Sequence, residues 1–385
     1  MVPTAQAGGN TLRETKTANQ MAGENHLTYF KVQNFKRFKE LEVKDIGQFN
    51  LVLGDNNVGK TSFLEALLVD TKRGERFLSN LLYALKYRGV GNSFPGGVLS
   101  FYQKREETKS DVKPLEIDFS IQSKKTIADL SKLFIDSITL AFSYDLEKNE
   151  IHFSRLDDAF AVQAGKKTDE DIRRENTFPN PGSLDQLIET HFVPFVSSFN
   201  GYNEELVGHY SRVLEYDKAK KKDFIHTMKR VLYDIDDFFI NTTMSNRPII
   251  LCELKSESAR IPLAMMGEGT VKLFRILSTI TRCRAERYPR LMIDEIDTGI
   301  HYSRMKDFWK TILLAAKEND VQLFATTHNL ECIKYFKEAL EELSDLQDRA
   351  RTITLVEHLQ TKDILAHTSH FDVLESELAL GNEVR

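Results

Sequence analysis

The stretch Gly54-Asp55-Asn56-Asn57-Val58-Gly59-Lys60-Thr61 fits the phosphate-binding pattern GxxxxGK[ST] at every fixed position. Gly54 and Gly59 permit a tight turn and close approach of backbone to an anion. Lys60 brings a cation to the β and γ phosphates of a nucleotide, and Thr61 brings a hydroxyl to Mg²⁺. Asn56, Asn57, Val58 and Ser62 complete the expected nucleotide contacts. A second signal is Asp294-Glu295, two adjacent carboxylates after the apolar run Leu291-Met292-Ile293. Alone, such a run is more often an ordinary strand end. Paired with Lys60, it makes a nucleotide-hydrolysing site in which Asp294 holds Mg²⁺ and Glu295 polarises the attacking water. Thr326-Thr327-His328 ends another apolar run and delivers His328 to the same phosphates as a γ-phosphate sensor. Gly267-Glu268-Gly269-Thr270 opens a segment of helical periodicity, and a helix N-terminus is again an anion site.

These groups need elements to hold them. Residues 49–53 read as a buried strand and 62–68 as a helix with an apolar face, so the phosphate loop lies at the positive end of a helix dipole. Residues 291–293 and 321–327 read as further buried strands, and open parallel sheets bind ligands beyond the carboxyl ends of their strands. Leu273, Phe274, Ile276, Leu277 and Ile280 recur at helical spacing behind Gly269. Residues 115–121, 137–144 and 151–156 alternate apolar and polar, predicting an antiparallel sheet beside the parallel one, with a turn at 147–150. Residues 192–196 read as a short strand, and 204–214 and 224–239 as helices. The lysine-rich 217–223 reads as a solvated loop between those helices, and the polar 157–182 as a mobile loop. Beyond His328 the pattern gives helices near 330–342 and 374–380 and a strand at 352–356.

The order of phosphate loop, glycine-led helix, acidic strand end and histidine resembles the ABC-type ATPase heads of the SMC, RecF and overcoming-lysogenization-defect groups. It is most similar to their small stand-alone bacterial members of the AAA type. Phe30-Lys31-Val32-Gln33-Asn34-Phe35-Lys36-Arg37-Phe38 resembles the first strand of these heads, and Asn56 matches the asparagine they favour in the phosphate loop. Asp294-Glu295-Ile296-Asp297-Thr298-Gly299-Ile300-His301 resembles their extended acidic motif, whose last residues form the loop that crosses a dimer interface. The resemblance covers residues 27–85 and 247–385 well and the middle loosely. It implies an α/β fold of P-loop NTPase type, an ABC-ATPase head with a mixed central sheet, an antiparallel β subdomain and a helical insertion.

The same resemblance implies ATP and Mg²⁺ as cofactors, Glu295 and His328 as catalytic groups, and Thr61 and Asp294 as metal ligands. It further implies a homodimer or higher even oligomer, with each ATP held between Lys60 of one chain and the Gly267–Thr270 signature of the other. Where the family carries a signature serine this chain has Gly267, which leaves backbone amides and Thr270 to reach the γ-phosphate. The implied role is a switch acting through a separate effector protein, a nuclease or toxin, in bacterial anti-phage defence. The alternative is a RecF-like repair ATPase that closes on duplex DNA.

Composition narrows the surroundings. Of 385 residues, 41% are hydrophobic and 28% charged, and no apolar run approaches the roughly 18 residues of a membrane span. The expected protein is cytoplasmic, with no membrane contact. A formal charge of −5 gives no overall attraction to a polyanion, so any DNA contact must come from a local patch. Cys252, Cys283 and Cys332 form no CxxC pair, which fits a reducing compartment and excludes a zinc hook. There is no long heptad repeat for a coiled-coil arm, and no room after His328 for a toprim nuclease. Residues 1–25 read as a disordered tail, and 26–385 as an ATPase domain built from 26–110 and 247–385 around an inserted β/helical region, 111–246.

Overall fold

In the computed structural model the described residues are 26–68, 80, 115–121, 136–145, 150–155, 192–198, 204–211, 214, 217–242, 248–256, 259–284, 286 and 289–380. The expected tail 1–25, the centre of the turn at 147–150 and the polar loop 157–182 lie outside them. The chain begins with the hairpin β1 (Leu27–Phe35) and β2 (Phe38–Lys44), then β3 (Phe49–Gly54) and α1 (Lys60–Ala66). β4 (Leu115–Ile121), β5 (Asp136–Asp145), β6 (Glu150–Arg155) and β7 (Phe195–Val196) follow, then α2 (Glu204–Tyr210), α3 (Lys218–Lys229), β8 (Ile235–Asn241), β9 (Ile249–Leu254) and β10 (Ile261–Pro262). The last part holds α4 (Glu268–Cys283), β11 (Arg290–Ile293), α5 (Tyr302–Glu318), β12 (Gln322–Thr326), α6 (Leu330–Glu342), β13 (Ala350–Glu357), β14 (Ile364–His370) and α7 (Phe371–Ala379).

The central sheet has the order β14-β13-β3-β12-β11-β7, parallel except for β14, which pairs antiparallel at one edge. Every residue of β3, β11 and β12 is buried, as parallel strands covered on both faces must be. Asn50, a polar residue inside β3, is satisfied by donating to the carbonyls of Gly47 and Leu323. Gln322 does the same at the start of β12, donating to Leu27 O and Gly47 O while accepting from Leu27 N, which fastens β1 to the central sheet. The expected antiparallel sheet is present in the order β2-β1-β4-β5-β6, and a three-stranded one, β10-β9-β8, accompanies it.

The core centres on α4, whose Val271, Leu273, Phe274, Ile276, Leu277 and Ile280 are all buried. Phe274 gathers Tyr210, Phe224 and Phe238 around its ring at centroid distances of 5.4, 5.0 and 4.9 Å. Thus α2, α3 and β8 pack directly on the glycine-led helix. On the other flank Trp309 of α5 is buried, with its ring 4.8 Å from Phe336 and its indole N–H donating to Cys332 O of α6.

The structure departs from the sequence reading in four places. Residues 218–223, expected as a lysine loop, are the first part of helix α3, because the Asp217 side chain accepts from Ala219 N and Lys220 N and so caps it, and lysine is a good helix former. That helix stops at Lys229, and 235–239, expected as its continuation, belongs to the strand β8 paired with β9. A register shift between Ile235 and Asp237 breaks the alternation, so Ile235 and Phe238 both point inward at a spacing that mimics a helix. The first strand ends at Phe35, where Lys36 takes φ 50° and Phe38 opens β2. β14 was not anticipated, since only Ile364 of its residues is buried and an edge strand of this kind carries little apolar pattern.

Candidate functional site

The phosphate loop leaves the carboxyl end of β3 and enters α1. Gly54 (φ 136°) and Gly59 (φ 104°) occupy backbone conformations that side chains rarely adopt, and space forbids a side chain there too. A Cβ at Gly54 would lie 2.4 Å from Leu355 O, and one at Gly59 would lie 2.8 Å from the Phe38 ring. The β1–β2 hairpin is therefore a wall of the loop. Lys36 at the hairpin turn ion-pairs with the fully buried Glu65 of α1 and reinforces that contact. Lys60 Nζ donates to Gly54 O at 2.7 Å and Asp55 O at 2.9 Å. Burial lowers the Lys60 pKa, opposed by the carboxylates of Asp294, Asp55 and Glu295.

Strand register brings the acidic groups to this loop. Parallel pairing sets Ile293 beside Ala325 and Val52 beside Thr326, so one residue beyond β11 the chain must deliver Asp294 next to Thr326. Asp294 Oδ1 accepts from Thr326 Oγ1 at 2.8 Å and from Thr61 Oγ1 at 3.1 Å. The Thr61 hydroxyl and the Asp294 carboxylate are hard oxygen donors of the kind Mg²⁺ takes. Glu295 follows with φ 48°, a left-handed conformation that costs a non-glycine residue about 1–3 kcal/mol. It is held there by Glu295 N donating to Thr326 Oγ1 at 2.8 Å, Ile296 N donating to Thr326 O at 2.9 Å, and Thr298 Oγ1 donating to Glu295 Oε2 at 3.4 Å. The left-handed turn takes Glu295 out of strand alternation and keeps it close enough to act on the Lys60 charge.

His328 is exposed and, with Gly54, Asp55, Asn56 and Thr327, lines a cavity of about 160 Å³ above the phosphate loop. Asn57 and Val58 lie in the same loop, Val58 buried, and Ser62 is the third residue of α1. The signature residues lie elsewhere. Gly267 is the N-cap of α4 without a side-chain cap, and Glu268, Gly269 and Thr270 form its first turn. Together they line a separate cavity of about 360 Å³ that also receives Gly299, Ile300, His301 and Arg304 and shares no lining residue with the first. The two glycines differ in their surroundings. Gly267 has nothing within 4 Å of a would-be Cβ, whereas one at Gly269 would sit 2.6 Å from Gly299 O.

Three contributors were not singled out from sequence. Thr326 is the hinge of the acid cluster, and its signal was the polar pair Thr326-Thr327 at a buried strand end. Phe38, which in sequence only ends the stretch resembling the first strand, closes the loop from β2. Lys272, buried on α4, donates from Nζ to Glu295 O and to Thr298 O, the latter at 3.2 Å. Burial pushes its pKa down to about 8 against the pull of Asp297, Glu268, Glu295 and Asp294.

A parallel sheet that delivers a phosphate loop, an acidic pair and a histidine to the carboxyl ends of its strands, with a glycine-capped helix apart from them, defines a nucleotide-binding P-loop NTPase fold. The chain belongs to the family described as "AAA domain, putative AbiEii toxin, Type IV TA system", which matches residues 49–333. It is 21% identical over 348 residues to an ATP/GTP phosphatase of Helicobacter pylori, covering 81% of this chain and 88% of that one. A shorter match, 35% identical over 92 residues, joins it to an uncharacterized protein of Methanocaldococcus jannaschii, 23% of this chain and 42% of that one. Among solved structures it is similar to an SMC head bound to the C-winged helix domain of ScpA, with a TM-score of 0.50 and 10% identity, covering 90% of this chain and 99% of that one. Among the described residues no helix is long and apolar enough to cross a membrane.

Proposed function

We propose that this chain hydrolyses ATP as a two-fold dimer, or higher even oligomer, and passes its open or closed state to a separate effector protein in bacterial defence. The observation that carries this reading is the meeting of Thr61, Asp294 and Thr326 beside Lys60. The residues fit a nucleotide with Mg²⁺. The loop has no Cβ at its two crowded glycines, and Thr61 and Asp294 offer hard oxygens 3.1 Å apart. Mg²⁺ held by Thr61 and Asp294 would neutralise charge on the phosphates. Lys60 exchanges the carbonyls of Gly54 and Asp55 for phosphate oxygens. Glu295 orients water and accepts its proton, Thr326 fixes both acids, and His328 meets the γ-phosphate across the small cavity. The phosphatase name of the Helicobacter relative supports hydrolysis, and the toxin–antitoxin wording of the family description supports the defence role.

The separation of the two cavities supports the dimer. The Gly267–Thr270 cavity shares no lining residue with the cavity at the phosphate loop, and a second subunit related by a two-fold axis brings this helix start to its partner's γ-phosphate. The test mixes two inactive variants and follows ATP hydrolysis. Lys60→Ala removes the loop cation. Gly267→Asp sets a carboxylate on the N–H groups of α4 at a position with open space. A mixed dimer contains one site with both lesions and one with neither, so hydrolysis returns to at most about a quarter of the parent rate for random pairing. No recovery where mixed dimers demonstrably form overturns the shared site.

A further inference from the structure

Lys272 lines neither cavity, yet its side chain is nearly inaccessible to water. Burying a cation is unfavourable unless it is matched by acceptors. Its partners are main-chain carbonyls of the loop after β11, those of Glu295 and Thr298. Glu295 is the residue of that loop held at φ 48°. Thr298 N also donates to Glu295 O at 3.1 Å, and the Thr298 hydroxyl reaches the Glu295 carboxylate. The ammonium thus closes a ring of contacts around one strained residue, from a helix whose buried side chains are mostly apolar. The carboxylates of Asp294, Asp297, Glu295 and Glu268 and the thiol of Cys332 face it.

We propose that Lys272 is a positioning residue for hydrolysis: from α4 it clamps the backbone of Glu295 in the left-handed conformation that aims its carboxylate at the attacking water. This rests on Glu295 being the base, as proposed above. Without the clamp, the strained residue relaxes toward extended backbone and its carboxylate swings with strand alternation, away from the phosphate loop. Lys272 lines neither the phosphate-loop cavity nor the signature cavity, so the loss falls on turnover.

The experiment compares Lys272→Met, which keeps the stem without the charge, and Lys272→Arg in the full chain, with thermal melting to confirm folding. In Lys272→Met, Mg-ATP affinity stays within about threefold of the parent while single-turnover hydrolysis falls roughly ten- to hundredfold, the loss typical of a displaced catalytic group. Lys272→Arg restores the donor and hydrolyses at least about fivefold faster than Lys272→Met. The proposal is overturned if Lys272→Met turns over within about twofold of the parent, if its affinity falls in step with its rate, or if Lys272→Arg is no faster. Should Lys272→Met fail to fold, Lys272→Gln, a shorter neutral donor, carries the test, and turnover within about twofold of the parent overturns the clamp. Glu295→Gln run alongside separates the failures. Full hydrolysis in Glu295→Gln sinks the assignment of the base, whereas its loss there with full hydrolysis in Lys272→Met sinks the clamp alone.

Discussion

Two glycines two residues apart in the signature make opposite demands, and this gives a sharp test of the site. A Cβ at Gly269 would sit 2.6 Å from Gly299 O and 3.1 Å from Ile300 Cδ1, about 0.8 Å inside an ordinary carbon–oxygen contact. Gly299 is itself fixed at φ 77° with Glu268 packed against it, so the carbonyl cannot simply rotate away. Gly269→Ala therefore strains the structure by about 1–3 kcal/mol, the usual cost of overpacking. At roughly 2 °C per kcal/mol for a chain of this size, the melting temperature drops about 2–6 °C. The displacement also passes through Thr298 to Glu295, and misplacing a catalytic group by a fraction of an ångström to one ångström lowers hydrolysis by roughly ten- to hundredfold. Gly267→Ser is the counterpart: with open space at the N-cap, the hydroxyl caps α4 and adds a few tenths of a kcal/mol, about a degree at most. Scanning calorimetry and phosphate release on both variants decide it. A Gly269→Ala protein that melts and hydrolyses like the parent, or a Gly267→Ser protein as damaged as Gly269→Ala, refutes the account of this corner.

Other outcomes follow from the same geometry. Lys60→Ala loses charge-assisted bonds worth roughly 1.5–3 kcal/mol, so equilibrium titration should show ATP affinity falling about ten- to a hundredfold. Glu295→Gln retains ATP but loses roughly 10²- to 10⁴-fold in hydrolysis, the range of a lost general base, whereas Asp294→Asn raises the Mg²⁺ concentration needed for half-maximal rate. An unfolded lysine keeps its proton to 10.5 while folded Lys272 releases it near 8, so across that window the unfolded chain binds more protons and stability rises with pH. That linkage amounts to about 3 kcal/mol and should be missing from the pH-dependent denaturation of Lys272→Met.

Much of the site was legible because its chemistry is local in sequence. The loop 54–61, the pair Asp294-Glu295 and the strand end Thr326–His328 each announce themselves by residue type, and burial of β3, β11 and β12 on both faces leaves unbroken apolar runs. What stayed hidden depends on register and on three-dimensional neighbours. That Thr326 rather than Thr327 joins Asp294 follows from the β11–β12 pairing, and no spacing in the chain reports it. Lys272 is indistinguishable in sequence from a lysine that snorkels off a helix, since only the packing of α2 and α3 on α4 shows the helix to be covered nearly all round. Residues 235–239 read as helix for a related reason: the bulge at Ile235 gives an inward spacing that a helix would also produce.

The chain contains one tryptophan, and its position has a practical consequence. Trp309 is enclosed between α5 and α6, with its N–H tied to Cys332 O, and its neighbour Phe308 lines the signature cavity. Red-edge excitation selects indole over the tyrosines, so the intrinsic fluorescence of the unlabelled protein comes from a single fluorophore in an apolar, hydrogen-bonded setting. Sliding of α5 over α6 would change both the solvation of that ring and its N–H bond, shifting emission colour and intensity together. Rapid mixing with nucleotide can thus follow movement of the helix beside the signature cavity in real time, separately from phosphate release.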